Sequence, residues 1–283
     1  MIDHLKLSIR DAVISDRQRL ANLMHFETYV HRHLDWRSPL DWLEHQPYLL
    51  LENDNKTLAA LACPPDPPGV SWIRLFAVSS EFELNEAWEL LWTMAQDQLK
   101  SWEVVTVAAI PLQDWLRKIL TQYGFELSSN VAMLVWEESM PPERLIPAIN
   151  IRPMNIDDLQ PIERLDALSF GSLWHYSLTS LELAFRQAAV ATVIEKDEKI
   201  VGYQISTGNQ LGGHLARLAI HPDYQGHGIG YSLLRDVLEQ FKRRGVNQVS
   251  VNTQQNNYAS LSLYAKAGFR PTGETYPVYI THL

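Results

Sequence analysis

The spacing of apolar and polar positions changes period several times, and it is clearest in the second half of the chain. From Asp157 to Leu168 apolar residues recur at helical spacing behind acidic starters, which predicts an amphipathic helix. The aromatic stretch SFGSLWHYS reads as a loop, and SLELAFRQAAV as a second helix. VATVIE and KIVGYQIS alternate like strands around the charged turn Lys196-Asp197-Glu198-Lys199, and GHLARLAIH is a third strand. A long helix is predicted from Gly230 to Arg244, with Leu233, Leu234, Val237, Leu238 and Phe241 on one stripe. QVSVNT then reads as a strand, YASLSLYAKAG as a helix and PVYITHL as a last strand. Early hairpins followed by a β-α-β unit predict an α/β (α+β) sheet domain of ~130–140 residues.

The first half carries a faint copy of this pattern. IRDAVISDRQRL from Ile9-Arg10 matches IRPMNIDDLQPI from Ile151-Arg152, at an offset of 142. Arg74-Leu75 matches Arg217-Leu218 at 143, and Gly124-Phe125 matches Gly268-Phe269 at 144. Three anchors in one order at a nearly constant offset predict two copies of one fold. The joint is expected in the proline-rich stretch from Ser139 through Pro141 and Pro142 to Pro147, near residue 145. The expected domains are therefore 1–142 and 148–283.

Composition narrows the classes. The chain is 46% hydrophobic and 20% charged, as ordinary globular proteins are. MIDHLKLSIR has no apolar core resembling a signal sequence, and no apolar run reaches the ~18–20 residues of a membrane span, so a cytoplasmic protein is expected. The single cysteine, Cys63, excludes an intramolecular disulfide and a cysteine metal cluster; no metal is expected, because the histidines show no ligand spacing. From residue 150 onward there are 12 basic and 12 acidic residues, so the whole net charge of −9 sits in the first half. No basic stripe is present to meet phosphates, which argues against nucleic acid. Lys242-Arg243-Arg244 reads as a helix C-terminal charge cluster.

Gln225-Gly226-His227-Gly228-Ile229-Gly230 stands between a strand and a helix. Glycines there let backbone approach a ligand, and the first amides of the helix have no partner within it. With the helix dipole they suit a phosphate or pyrophosphate. A purely structural turn is the alternative. A dinucleotide fingerprint would need glycine where Tyr231 stands, and a Walker loop would need Gly-Lys-Ser/Thr.

Gln225, Gly228 and Gly230 instead resemble the Gln/Arg-x-x-Gly-x-Gly/Ala signature of the GNAT superfamily of N-acetyltransferases. Asn257, Ala259, Leu263, Tyr264, Gly268 and Phe269 match that family's Asn-x-Ala-x-x-x-Leu-Tyr-x-x-x-Gly-Phe helix in register. The resemblance covers roughly residues 148–283. It implies two GNAT-like domains, each with a mixed, mostly antiparallel sheet flanked by helices, and acetyl-CoA as cosubstrate. Strands through Ile220 and Val249 would splay apart, with pantetheine pairing along Leu218, Ala219 and Ile220. The amides of Gly226, His227, Gly228, Ile229 and Gly230 would hold the pyrophosphate, and Asn257 would contact the pantetheine arm; Asn257 also suits a helix N-cap.

By the same resemblance Tyr264 is the general acid for the leaving thiolate, against the alternative of a packing tyrosine. His214 stands where many members carry a catalytic Glu, so it is the expected base, and a solvated strand histidine is the alternative; His221 is a weaker candidate. The loop residues Phe170, Trp174, His175 and Tyr176, with Tyr276 opposite, are expected to shape the acceptor site, although Phe170 and Trp174 also suit a core. In the first half no glycine loop follows RLFAV; Glu81, Glu83 and Glu86 stand there, and Leu120 replaces Tyr264. That copy is expected to be degenerate. The reading is acetyl transfer to a primary amine of a small molecule or peptide, by a monomer or homodimer, with a CoA-binding sensor lacking turnover as the alternative.

Overall fold

The computed structural model describes residues 7–54, 56–137, 139–143, 149–209 and 211–283. The chain forms two compact units, residues 1–128 with 277–283 and residues 129–276. The expected joint near residue 145 falls within 144–148, outside the described residues.

The first unit runs β1 (Leu7–Asp11), α1 (Arg17–Phe26), β2 (Tyr29–Arg32), β3 (Tyr48–Asn53), β4 (Lys56–Ala62), β5 (Val70–Trp72), β6 (Leu75–Val78), α2 (Leu84–Ser101), β7 (Thr106–Ala109) and α3 (Asp114–Gln122). Its antiparallel sheet has the order β1-β3-β4-β6-β2. β8 (Glu126–Glu137) then leads into the second unit. α2 buries Ala87, Trp88, Leu91, Trp92, Ala95 and Leu99, one face at three- and four-residue spacing. Trp88 meets the Phe76 ring edge-on at 5.0 Å, and Trp92 lies 5.3 Å from Phe125, so large rings supply much of this core. β7 is completed by the chain's last residues, with Tyr279 opposite Ala109 and His282 opposite Thr106.

The second unit continues with β9 (Asn150–Pro153), α4 (Leu159–Trp174), α5 (Leu178–Gln187), β10 (Val190–Lys196), β11 (Lys199–Gly208) and β12 (Gly213–Ile220). After these come α6 (Ile229–Arg243), β13 (Gln248–Gln254), α7 (Tyr258–Lys266) and β14 (Arg270–His282), whose residues from 277 onward belong to the first unit. β9 through β12 pair antiparallel in chain order, β12 pairs β13 in parallel, and β13 takes β8 antiparallel on its other side. The turn at Asp197-Glu198 has φ of 51° and 60°, as a tight hairpin demands. The α6 stripe is wholly buried, Leu233, Leu234, Val237 and Leu238 at 0% exposure and Phe241 at 1%. At about 1.5–3 kcal/mol per side chain this stripe fixes which face of α6 meets the sheet.

The repeat is visible as chemistry inside each unit. Arg10 bonds Asp16 and Glu52, and Val13 N donates to Asp16. Arg152 bonds Asp158 and Glu195 in the same way, and Asn155 N donates to Asp158. One local difference from the sequence reading stands in α4. SFGSLWHYS is not a loop: α4 runs through it to Trp174 and breaks at Gly171, whose φ of 69° and ψ of −178° no helix accommodates. Glycine tolerates that conformation, so one residue turns the helix without ending it.

Candidate active site

The site begins with a strand that loses one neighbour. β12 pairs β11 along its length, with a bulge opposite Ile205/Ser206. On its other side it pairs β13 only from Gly213 to Leu215, opposite Val249 to Val251. β13 itself continues to Gln254 against β8. The two parallel strands therefore diverge after Leu215, and the β12 backbone toward Ile220 is left with an open edge that an extended ligand can pair with.

A glycine turn follows. Pro222–Tyr224 form a single helical turn, and Gln225 Nε2 donates to Ile220 O at 2.9 Å, pinning the loop to the strand end. Gly226 and Gly228 take φ of 78° and 83°, the left-handed region where a β-carbon costs about 1–2 kcal/mol. α6 starts at Ile229 with Gly228 as its N-cap, and no side chain caps it. Its first amides thus face outward at the positive end of a 15-residue helix.

Open strand edge and bare helix end border one cavity of about 760 Å³, within the range of cofactor sites. Leu218, Ala219 and Ile220 form one wall; Gln225, Gly226, His227, Gly228 and Gly230 form the mouth of the helix. Asn257, Ser260, Leu263 and Lys266 of the α7 region face them. Asn257 Oδ1 accepts from Ser260 N at 3.1 Å, so Asn257 both caps α7 and borders the cavity. Ile229 is the exception in the loop: it is 2% exposed and packs with Ile194, Val201 and Leu233. Anion-directed amides, a neighbouring lysine and an open strand edge fit a ligand with a pyrophosphate and an extended amide-bearing arm.

Tyr264 lies on α7 next to the cavity wall, 5% exposed and 5.5 Å from the Phe269 ring, and is not among the described residues that border the cavity. Burial raises its phenol above the ordinary tyrosine range, so it stays protonated. His214 lies on β12, with Nδ1 2.9 Å from Ser250 Oγ of β13. Burial lowers its pKa, with the contact to Ser250 opposing, so the ring stays neutral. His221 Nδ1 accepts from Asp223 N at 3.3 Å and serves its own turn.

Of the five expected acceptor residues, Phe170 borders this cavity itself. Trp174, His175, Tyr176 and Tyr276 are not among the described residues that do. His175 Nδ1 is 3.1 Å from Gly171 O, beside the helix break, and Tyr276 Oη is 3.3 Å from Glu274. What organises the aromatic residues is a buried group that sequence reasoning did not single out. Arg217 bonds Asp166 twice at 2.7 Å and also donates to Trp174 O at 2.7 Å. Its guanidinium carbon sits 3.4 Å from the centre of the Phe170 ring and 4.0 Å from that of Tyr176. Tyr176 N and the Tyr203 hydroxyl both donate to Asp166. The signal was present: Arg217 is one of the repeat anchors, and its counterpart Arg74 pairs with Asp35 at 2.8 Å and covers the Trp42 ring.

In the first unit the matching helix start is closed. Glu83 is the N-cap of α2, and its carboxylate accepts from Glu86 N at 2.8 Å, while Glu81 pairs with Lys56. A carboxylate occupies the place an anion would take. Among the described residues there is no group of three His, Cys, Asp or Glu that could hold a metal ion, and no helix is long and apolar enough to cross a membrane.

Known proteins agree with this geometry. The profile of the acetyltransferase (GNAT) family matches residues 157–269. The putative [ribosomal protein bS18]-alanine N-acetyltransferase of Bacillus subtilis is 29% identical over 123 residues, 44% of this chain and 82% of that protein. The [ribosomal protein bS18]-alanine N-acetyltransferase of Escherichia coli is 34% identical over 55 residues, 19% of this chain and 37% of its own length. Among solved structures, a tandem GNAT protein from the clavulanic acid biosynthesis pathway superposes over 98% of both chains with a TM-score of 0.65 at 15% identity. A GCN5-related N-acetyltransferase from Sphaerobacter thermophilus covers all of this chain and 97% of its own, with a TM-score of 0.64 at 14% identity. The open strand edge, the bare helix end and these likenesses agree: residues 157–269 match the acetyltransferase (GNAT) family, and the whole chain shares the fold of a tandem GNAT protein.

Proposed function

We propose that this chain transfers an acetyl group from acetyl-CoA to a primary amine by direct attack, at the cavity of the second unit. The observation that carries the reading is the meeting of an uncapped helix N-terminus with an unpaired strand edge in one cavity. Acetyl-CoA supplies the acyl group as a thioester. The amides from Gly226 to Gly230 hold the pyrophosphate, and the backbone of Leu218 to Ile220 pairs with the pantetheine arm, with Asn257 opposite. The amide of Leu218 or Ala219 stabilises negative charge on the acyl oxygen. The amine nitrogen forms a bond to the acyl carbon as the carbon–sulfur bond breaks. His214, neutral by burial, takes the proton from the acceptor ammonium through water; Tyr264 gives its phenolic proton to the leaving sulfur, and the proton that the nitrogen sheds on forming the amide returns to the Tyr264 oxygen.

For the acceptor, the bS18-alanine acetyltransferases among the relatives favour a peptide α-amine, whose pKa of about 8 makes proton loss easier than from a lysine. The first unit is proposed not to bind the donor, because Glu83 caps the equivalent helix. The alternative, a CoA-binding sensor without turnover, draws on the histidine at position 214 and on Tyr264 standing outside the cavity lining. An assay of thiol release from acetyl-CoA, with peptides beginning in alanine and a panel of small amines, separates the two. Acceptor-dependent release supports transfer. Tight CoA binding with no release across both panels supports the sensor.

A further inference from the structure

Phe170 was expected on the acceptor side, yet its ring borders the same cavity as Leu218, Ala219 and Ile220. It does so from a fixed position. Ser169, the residue before it, donates through Oγ to Leu165 O at 2.8 Å and lies 3.4 Å from Ile220 O, tying this turn of α4 to the end of β12. The ring itself rests on the Arg217 guanidinium at 3.4 Å. Arg217 in turn is held by both oxygens of the wholly buried Asp166 and by Trp174 O, and Tyr176 stacks near it at 4.0 Å. A cation under an aromatic face, itself locked by a two-pronged ion pair, leaves the ring little freedom to swing aside.

We propose that Phe170, held in place by Arg217, closes the donor cavity beside Leu218 and Ala219 and so limits the acyl group to a short chain. The inference deepens the proposed function and rests on it, since it takes the thioester to lie against the β12 edge. A rigid ring at the end of the acyl path excludes added methylenes sterically, and accommodating them would require moving a side chain seated on a buried ion pair. Phe170 is then a specificity-determining residue and Arg217 a positioning residue.

The test needs no acceptor. CoA, acetyl-CoA, propionyl-CoA and butyryl-CoA are titrated calorimetrically into the full chain and into Phe170→Ala. In the unchanged protein butyryl-CoA is expected to bind about tenfold or more weakly than acetyl-CoA, the scale at which pockets discriminate methylenes. In Phe170→Ala the acetyl-to-butyryl ratio should fall to within about twofold. Arg217→Lys, which loses the fork, should lower the ratio part of the way, and Phe170→Leu serves the same purpose if either variant fails to fold. Equal affinity for acetyl- and butyryl-CoA in the unchanged protein overturns the proposal. So does a ratio that survives removal of the ring. Failure of CoA itself to bind overturns the underlying function instead, and the two failures are distinct.

Discussion

The guanidinium of Arg217 and the carboxylate of Asp166 face each other through two parallel 2.7 Å hydrogen bonds, Nε to Oδ2 and Nη2 to Oδ1. Their side chains are 7% and 0% exposed, so either charge left alone would be buried without a counter-ion. Removing one partner of such a pair costs about 3–5 kcal/mol. Asp166→Ala is expected to lower the unfolding free energy by about that amount, and urea unfolding followed by fluorescence measures it. A loss below about 1 kcal/mol would show that the pair does not hold the fold around it.

Tyr264→Phe keeps the ring that packs against Phe269 and removes only the hydroxyl. Turnover should fall about 100-fold or more while CoA affinity stays close to that of the unchanged protein. Equal turnover in the two proteins would remove Tyr264 from the mechanism.

His214 titrates below its ordinary value of about 6.5 because burial disfavours the imidazolium. A base must be neutral to act, so kcat should rise with pH to a plateau with its midpoint below about 6.5. In His214→Gln that inflection should vanish together with most of the rate. If the inflection persists in the variant, it belongs to another group.

The first unit carries a separate acid sensitivity. His31 is pushed down to about 4 by burial, against the opposing contact of its Nε2 with Ile73 O, and its buried Nδ1 has no hydrogen-bond partner among the described residues. His33 is also held well below its ordinary value, by burial first and then by Arg74 and His31. Both rings stay neutral when folded, whereas an unfolded chain protonates them near pH 6.5. Unfolding therefore takes up protons between roughly pH 6.5 and 4, and stability drops as pH falls through that window, by about 3 kcal/mol from His31 alone. Urea unfolding at pH 7 and pH 5 should show this slope, and His31→Asn should flatten it. An unchanged slope in the variant would assign the sensitivity elsewhere.

Donor binding should be asymmetric between the two copies. Calorimetry is expected to find one CoA per chain, because Glu83 caps α2 in the first unit whereas α6 begins uncapped. Gly226→Asp, which adds a carboxylate and forces a β-carbon onto a φ of 78°, should abolish the heat of binding. Two sites per chain, or binding that survives this substitution, would refute the assignment of the anion site.

Much of the candidate site's backbone was legible because its parts are local. Glycines at 226 and 228 are required by the backbone angles of a single turn, and the α6 stripe is read from a helical period over fifteen residues. Asn257 stands at a helix start, where its side chain bonds an amide three residues on. Even the repeat could be read, since Arg10 and Arg152 sit six residues from the aspartates they bind.

What escaped the sequence depends on partners far apart in it. Asp166 lies 51 residues from Arg217, and nothing local distinguishes it from a solvated helix carboxylate. The break at Gly171 was read as a loop, because glycine among aromatics looks alike in a kinked helix and in a connection. The chain's last residues complete β7 of the first unit through pairing across 170 to 176 residues, which no period along the chain records. By itself, then, the sequence determined the repeat, most elements of the second copy and the glycine turn ahead of α6, all consequences of backbone angles and short-range periodicity. Only the tertiary structure decided that Phe170 borders the cavity, that its ring lies over the Arg217 guanidinium, and which unit the chain's last residues complete. Burial, ion pairing and strand pairing are settled by what comes together in space.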